Sequence, residues 1–186
     1  IGWNKRGTIA HGNEESINMK KLFKILNTQK IPEEKEFVIL HNDFKLDNII
    51  LKKSLDSQKI FPQAIIDWDQ ATRGHPLFDL ATLLSYWTLT KDSADMLLLN
   101  QMPSETTGFI SRKEALNLYE KLSGRSIKDF KWLYSLSLLK LGVVFQQLYA
   151  QYLRGTIKES KYEKFGIVAE AAYIRGINAI NNNDYI

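Results

Sequence analysis

The feature that most constrains this chain is the stretch from Phe37 to Leu51, where a polar segment separates two short apolar runs. The runs, 37–40 and 48–51, are rich in β-branched and aromatic residues, which is typical of strands. The segment between them, called here the polar loop (residues 41–48), contains no glycine or proline. A simple chain reversal therefore does not explain its composition. The sequence predicts two strands joined by a loop whose polar side chains have another role.

The polar loop matches the pattern H-x-D-x-x-x-x-N through His41, Asp43 and Asn48. This spacing is typical of loops that transfer a phosphoryl group, in which the Asp receives the proton of the acceptor hydroxyl and the Asn binds a metal ion. The pattern predicts Asp43 as the catalytic base and Asn48 as a metal ligand. We expect Lys45 to neutralise charge on the transferred group, and His41 to hold the loop through hydrogen bonds.

A second metal ligand is expected at the end of a later strand. Residues 63–66 form a third short apolar run, which is followed directly by Asp67. The two strands and one connection between Asp43 and Asp67 predict a hairpin that brings Asp67 beside Asn48. Mg²⁺ prefers hard oxygen ligands and usually takes only one or two of them from the protein, so this pair suffices.

Each of these residues also has a purely structural interpretation. A pattern with so few fixed positions occurs by chance in many proteins. Aspartate is common in turns, which would explain Asp43 and Asp47. It is also common as a helix cap, which would explain Asp67. A lone histidine such as His41 is more often a partly buried residue with satisfied hydrogen bonds. The catalytic interpretation is favoured because the loop lies between two predicted strands and a third strand ends in Asp67.

The remaining segments predict a mainly helical body. Segment 1–13 has no sustained periodicity and is interpreted as a segment that enters the domain. Amphipathic or apolar helices are expected over residues 14–29, 77–88, 111–124, 126–154 and 160–180. The predicted fold class is α+β and mainly α. A single domain is expected, with a leading segment and helix (1–36), a β-element that carries the polar loop (37–70) and a helical body (71–186).

Composition excludes several other classes of protein. The chain contains no cysteine, which excludes disulfides, thiolate zinc sites and a cysteine nucleophile. Its net charge is +4, but the basic residues are scattered and form no stripe, so nucleic acid is not the expected partner. No uninterrupted apolar segment reaches the ~18–20 residues of a membrane span, and no signal-peptide pattern is present. A cytoplasmic protein without a membrane partner is therefore expected.

Three motifs in order along the chain resemble the aminoglycoside phosphotransferase/choline kinase-like family. They are His41–Asn48, Ile66–Asp69 and Gly74–Ala81. Further similarity covers most of the chain. Within the family, the chain resembles above all the phosphotransferase-like domain that is fused to acyl-CoA dehydrogenases in animals. The resemblance implies the C-terminal lobe of a protein-kinase-like fold, with ATP as co-substrate and Mg²⁺ as cofactor.

The resemblance also implies roles for two further carboxylates. Asp79 is expected to be a buried structural residue on the helix behind the polar loop, and Asp47 is expected to support the loop. The alternative for Asp79 is a first-turn residue favoured by the helix dipole. Both alternatives are structural, so neither residue is expected to react.

The helical body is expected to form the pocket for a small molecule that carries the acceptor hydroxyl group. Candidate lining residues are Trp87, Tyr149 and Tyr152, each of which is more often a plain core residue. The net positive charge and the lack of an acidic cluster in the helical half favour an anionic acceptor over a polycationic aminoglycoside. The link of the subgroup to acyl-CoA metabolism suggests a hydroxyacyl-CoA.

The sequence contains neither a glycine-rich phosphate loop nor a strand lysine paired with a helix glutamate. In the family these parts form an N-terminal lobe that binds the nucleotide. We therefore expect these residues to represent the C-terminal lobe only, and to show no measurable phosphotransfer by themselves. Two alternatives stay open: a non-catalytic kinase-like binding module, and a metal-dependent hydrolase that uses the same carboxylates.

Overall fold

The computed structural model describes residues 2–12, 16–33, 36–54 and 59–182. Within these ranges helices dominate, and short strands lie between the second and third helices. The helices are α1 (Gly2–His11), α2 (Ile17–Thr28), α3 (Leu77–Ser85), α4 (Ala94–Leu97), α5 (Arg112–Ser123), α6 (Phe130–Leu153) and α7 (Phe165–Asn182). The strands are β1 (Val38–Leu40), β2 (Ile49–Lys53), β3 (Ile60–Ile65) and β4 (Thr72–Gly74). The predicted α+β, mainly α fold class is confirmed.

Helix α6 forms the centre of the hydrophobic core. All of residues 137–143 are buried, and such a run covers every face of a helix with about 3.6 residues per turn. Helices α1, α2, α3 and α7 pack around it. Helix α7 packs closely against it at Gly142, where an added Cβ would lie 2.3 Å from Cε1 of Tyr173. In the described part of the chain, no helix combines the length and the apolar character that crossing a bilayer requires.

The helix ends follow local sequence signals. The side chain of Ser16 accepts a hydrogen bond from the N–H of Met19 and caps α2. The predicted capping box of α5 is present, because Ser111 and Glu114 exchange hydrogen bonds between side chain and backbone. The same helix ends at Gly124, whose φ of 67° lies in the left-handed region that glycine adopts without strain.

The helix predictions were wrong in several details. Helix α3 ends at Ser85 rather than near 88, and the short helix α4 was not predicted. Segment 1–13 contains helix α1, although its sequence shows no helical periodicity, because packing against α6 and α2 stabilises it and Trp3 lies against the core. Helix α6 begins at Phe130 rather than at 126. The first turn predicted for the last helix is a 3₁₀ turn, Ser160–Lys164. The predicted start of the second helix at Glu14 lies outside the described residues.

The strands form two separate antiparallel sheets of two strands each in the described ranges. Strand β2 pairs with β3, with Ile49 opposite Ile65, which confirms the predicted hairpin. Strand β1 pairs with β4, with Leu40 opposite Thr72. The polar loop therefore connects one sheet to the other. Strand β4 was not predicted because its sequence, Thr-Arg-Gly, lacks apolar alternation, yet its pairing brings the start of α3 close to the loop.

Candidate active site

The polar loop begins with two backbone N–H groups that donate to one carboxylate on α3. The N–H of His41 donates to Oδ2 of Asp79 at 2.8 Å, and the N–H of Asn42 donates to Oδ1 at 2.7 Å. Asp79 is half-buried in the first turn of α3, where the helix dipole also favours a carboxylate. Its two hydrogen bonds hold the start of the loop against α3.

His41 is buried and links the polar loop to the end of β3. Its Nδ1 accepts a hydrogen bond from the N–H of Asp43 at 3.3 Å, which leaves Nε2 to donate to the carbonyl of Ile66 at 2.8 Å. The ring of Trp68 packs against the imidazole, with 4.7 Å between the ring centres. Backbone groups thus engage both ring nitrogens, and these hydrogen bonds hold the polar loop against the end of β3.

The carboxylate of Asp43 is oriented by a lysine and a tyrosine. Nζ of Lys45 lies 3.1 Å from Oδ2, and the hydroxyl of Tyr86 donates to Oδ1 at 3.4 Å. Burial, reinforced by the charge of Asp43, raises the pKa of Tyr86, so the phenol remains a hydrogen-bond donor at neutral pH. The Asp43 side chain is 15% exposed, which keeps it accessible to a small molecule while most solvent is excluded.

A buried lysine from α6 holds the second residue of the polar loop. Nζ of Lys140 donates to the backbone carbonyl of Asn42 and also, at 3.1 Å, to the side-chain Oδ1 of Asn42. Asn42 has a φ of 68°, in the left-handed region that asparagine tolerates better than most residues. Burial lowers the pKa of Lys140, and the charges of Asp43 and Asp79 oppose this shift. The sequence showed Lys140 only as an interruption of an apolar helix, and that isolated charge was the one available signal of its role.

The β2–β3 hairpin brings the end of the polar loop next to Asp67. The N–H of Ile66 donates to the carbonyl of Asn48 at 3.0 Å, and Asp67 follows directly. Asn48 is buried, and its Nδ2 donates to the carbonyl of Asp43 at 2.8 Å. Because the amide nitrogen is engaged in this way, Oδ1 of Asn48 is left to bind a cation.

Negative charge accumulates beside Asn48. A hydrogen bond to Asp69, and then the charge of Asp69, raise the pKa of Asp67, and Asp43 adds a smaller contribution. A divalent cation at Asp67 would relieve this repulsion. Among the described residues, no three His, Asp or Glu side chains form a ready-made metal cage. Asn48 and Asp67 therefore fit Mg²⁺, which takes few protein ligands and fills the others with phosphate and water.

Comparison with known protein families identifies the chain's relatives. The model of the phosphotransferase enzyme family matches residues 9–105, a little over half of the chain, and this range includes the polar loop and Asp67. The chain belongs to the phosphotransferase enzyme family. The resemblance recognised in the sequence is thereby confirmed.

Individual relatives of this chain are much longer. Acyl-CoA dehydrogenase family member 11 from Pongo abelii is 29% identical over 157 residues, which are 82% of this chain and 19% of that protein. Its counterpart from Rattus norvegicus is 32% identical over 126 residues, which are 66% of this chain and 15% of that protein. The chain thus spans about a fifth of the length of these curated relatives.

A solved structure shares the fold. A Ralstonia eutropha JMP134 protein assigned as an aminoglycoside phosphotransferase superposes with a TM-score of 0.71 at 23% sequence identity. The match covers 95% of this chain and 54% of that one. The predicted kinase-like α+β fold is therefore confirmed.

A cavity of about 320 Å³ opens beside Asp43. Three lysines contribute to its wall, namely Lys45, Lys140 and Lys161. Apolar and aromatic side chains form another part of the wall: Val144, Phe145, Leu148, Tyr162 and Phe165. The cavity therefore combines a carboxylate, several cations and an apolar surface.

The aromatic residues predicted to line the acceptor pocket are not among those that line this cavity. Trp87 is buried and packs edge-to-face on Phe109, with 4.7 Å between the ring centres. Tyr149 packs against Gly166 at the start of α7, and Tyr152 is half-buried near the end of α6. Contact of these three aromatics with an acceptor stays a prediction, and none of them lines the cavity beside Asp43.

The residues next to two of these aromatics line the cavity instead. Tyr86 precedes Trp87, and Leu148 precedes Tyr149 on α6. Leu148 and Tyr149 are consecutive helical residues, which point about 100° apart and so lie on different faces of α6. Asp47, expected to support the loop, is exposed in the 3₁₀ turn Leu46–Asn48 and takes no part in the hydrogen bonds described above, so its supporting role stays a prediction.

Proposed function

We propose that this chain supplies the catalytic base, the metal ligands and the acceptor pocket of an ATP- and Mg²⁺-dependent kinase that phosphorylates a hydroxyl group of a small molecule. The observation that carries this proposal is the carboxylate of Asp43, which lies in a cavity wall and is oriented by Lys45 and Tyr86. Asn48 and Asp67 lie beside it on the hairpin. Membership of the phosphotransferase enzyme family supports the reaction class.

In this mechanism Asp43 accepts the proton of the acceptor hydroxyl. The acceptor oxygen then forms a bond to the γ-phosphorus of ATP, and the bond between that phosphorus and the leaving ADP oxygen breaks. Lys45, next to the base, counters the negative charge of the transferred group. Mg²⁺ bound by Asn48 and Asp67 would neutralise phosphate charge. The hydrogen bonds that anchor the loop fix the position of the base before substrates bind.

The charge of the cavity supports an anionic acceptor. Among the described residues that line it, three are lysines and Asp43 is the only carboxylate. A polycationic aminoglycoside would meet like charges there, whereas an anionic group on an apolar chain would meet opposite charges and an apolar wall. The curated relatives named above are acyl-CoA dehydrogenase family members. We therefore propose a hydroxyacyl-CoA as the acceptor.

The proposed metal site makes a first prediction. Asp67→Ala is expected to weaken the binding of Mg²⁺–ATP by about tenfold or more, because the cation loses one of its few protein ligands. Isothermal titration calorimetry measures this affinity. Asp47→Ala is the matched control, since it removes the same charge from an exposed position in the polar loop. Equal affinity in the two variants would exclude Asp67 as a ligand and would favour a non-catalytic binding module.

The proposed acceptor makes a second prediction. Lys161→Ala is expected to weaken binding of a hydroxyacyl-CoA by about two- to fivefold, the range of an exposed ion pair. Lys164→Ala is the control, because Lys164 is exposed in the same 3₁₀ turn but does not line the cavity. Both affinities are measured by calorimetry at fixed ionic strength. Tighter binding of an aminoglycoside than of the hydroxyacyl-CoA would contradict the proposed acceptor.

A further inference from the structure

A second cavity, of about 170 Å³, is bordered by the segment that follows α3 and by helices α4, α5 and α7. It shares no lining residue with the cavity beside Asp43. Arg112 on α5 and Arg175 on α7 line it together with the carboxylate of Asp92. The mechanism proposed above uses none of these charged groups.

Both arginines converge on the same two acceptor atoms. Nη2 of Arg112 donates to the carbonyl of Trp87 at 2.8 Å and to Oδ2 of Asp92. Nη1 of Arg175 donates to the same carbonyl at 3.2 Å and lies 3.4 Å from the same Oδ2. The N–H of Leu89 also donates to this oxygen, at 2.8 Å. A single carboxylate oxygen and a single carbonyl thus serve two guanidinium groups.

This arrangement leaves guanidinium N–H groups without an acceptor. Among the residues that the structure describes, Nε of Arg112 and Nη2 of Arg175 are buried and have no hydrogen-bond partner. The two side chains are only 2% and 8% exposed. Two positive charges also share one negative charge, and an uncompensated buried charge is costly. The ring of Tyr134, 5.6 Å from Cζ of Arg175, compensates part of this charge through a cation–π contact.

The rest of the wall also suits an anion. Lys91 and Ser93 line the cavity near Asp92, and Asn178 lines it from α7. Among the described residues of the wall, Asp92 is the only acidic one. Guanidinium groups are well matched in geometry to carboxylate and phosphate oxygens. We propose that this cavity binds a small oxyanion, a phosphate or a carboxylate group, through Arg112 and Arg175.

Inorganic phosphate and acetate are the probes for this site. Titration of each into the chain, with ionic strength held constant by NaCl, is expected to raise the thermal unfolding temperature along a saturable curve. Asn178→Asp adds a carboxylate to the cavity wall and is expected to weaken the binding about tenfold or more by charge repulsion. Asn181→Asp is the matched control, since it makes the same change at an exposed position on α7.

Two further variants keep the test decisive. Ser93→Asp adds a negative charge on the other side of the cavity and still caps α4, because Asp is as good an N-cap as Ser. It is expected to weaken binding as Asn178→Asp does. Lys161→Ala alters only the cavity beside Asp43 and is expected to leave phosphate affinity unchanged.

The outcomes separate the two cavities and the two oxyanions. Binding that survives both Asn178→Asp and Ser93→Asp but is lost in Lys161→Ala would assign the anion to the catalytic cavity and overturn the proposal. Absence of a saturable response to both probes would overturn it as well. A response to acetate alone identifies a carboxylate site, and a response to phosphate alone identifies a phosphate site.

Discussion

Asp43→Asn is expected to lower the rate of phosphotransfer by about 10²–10⁴-fold while the fold remains intact. The amide keeps the size of the carboxylate and its oxygen still accepts a hydrogen bond from Tyr86, but it does not accept a proton from the acceptor hydroxyl. The variant also removes the negative charge that lies 3.1 Å from Lys45. The measurement is the initial rate of hydroxyacyl-CoA phosphorylation with ATP and Mg²⁺, in the longest form of the protein that contains these residues.

The control for this experiment is Asp47→Asn. It makes the same chemical change in the same loop, at an exposed position outside the hydrogen-bond network. Its rate is expected to equal that of the unmodified protein, and thermal unfolding of both variants checks that the fold is retained. A loss of less than about tenfold in Asp43→Asn would mean that another group accepts the proton.

Asp79→Ala is expected to lower the free energy of unfolding by about 2–4 kcal/mol. The carboxylate accepts from the N–H groups of His41 and Asn42, and each hydrogen bond to a charged group contributes about 1.5–3 kcal/mol. Part of this loss is recovered where water reaches the freed N–H groups, which is why the expected total is below the simple sum. Urea unfolding of the isolated chain measures the change.

The magnitude of this loss distinguishes two roles for Asp79. A first-turn Asp that interacts only with the helix dipole contributes about 0.3–1 kcal/mol. A loss within that range would mean that Asp79 does not hold the polar loop. Asp79→Asn is expected to lower the free energy of unfolding by an amount between these two ranges. Its amide retains one oxygen acceptor but turns an N–H₂ group towards a backbone N–H.

Local features of this chain could be predicted from its sequence. The β2–β3 hairpin follows from apolar runs of strand length, and the ends of α5 follow from a capping box and a glycine. The spacing from His41 to Asn48 lies within one loop, so the motif is readable without knowledge of the fold. The comparisons confirm the family to which that motif points.

The contacts around the loop could not be predicted, because they come from distant parts of the chain. Lys140 lies 98 positions from Asn42, to which it donates two hydrogen bonds. Trp87 and Tyr149 were expected in the pocket, but the packing of α6 and α3 decides which of two neighbouring residues faces the cavity. Periodicity describes the apolar face of one helix and does not identify the element that covers it.

The sequence by itself determined the family, the position of the candidate base and the hairpin that carries the candidate metal ligands. The positions of the base and the hairpin depend on spacing within about 30 residues, where the strand geometry limits the arrangement. Only the tertiary structure decided which cations surround Asp43, and that Arg112 and Arg175 share one carboxylate. Apart from Lys45 in the polar loop, these residues come from separate helical segments, which meet only when the apolar faces around α6 are buried together.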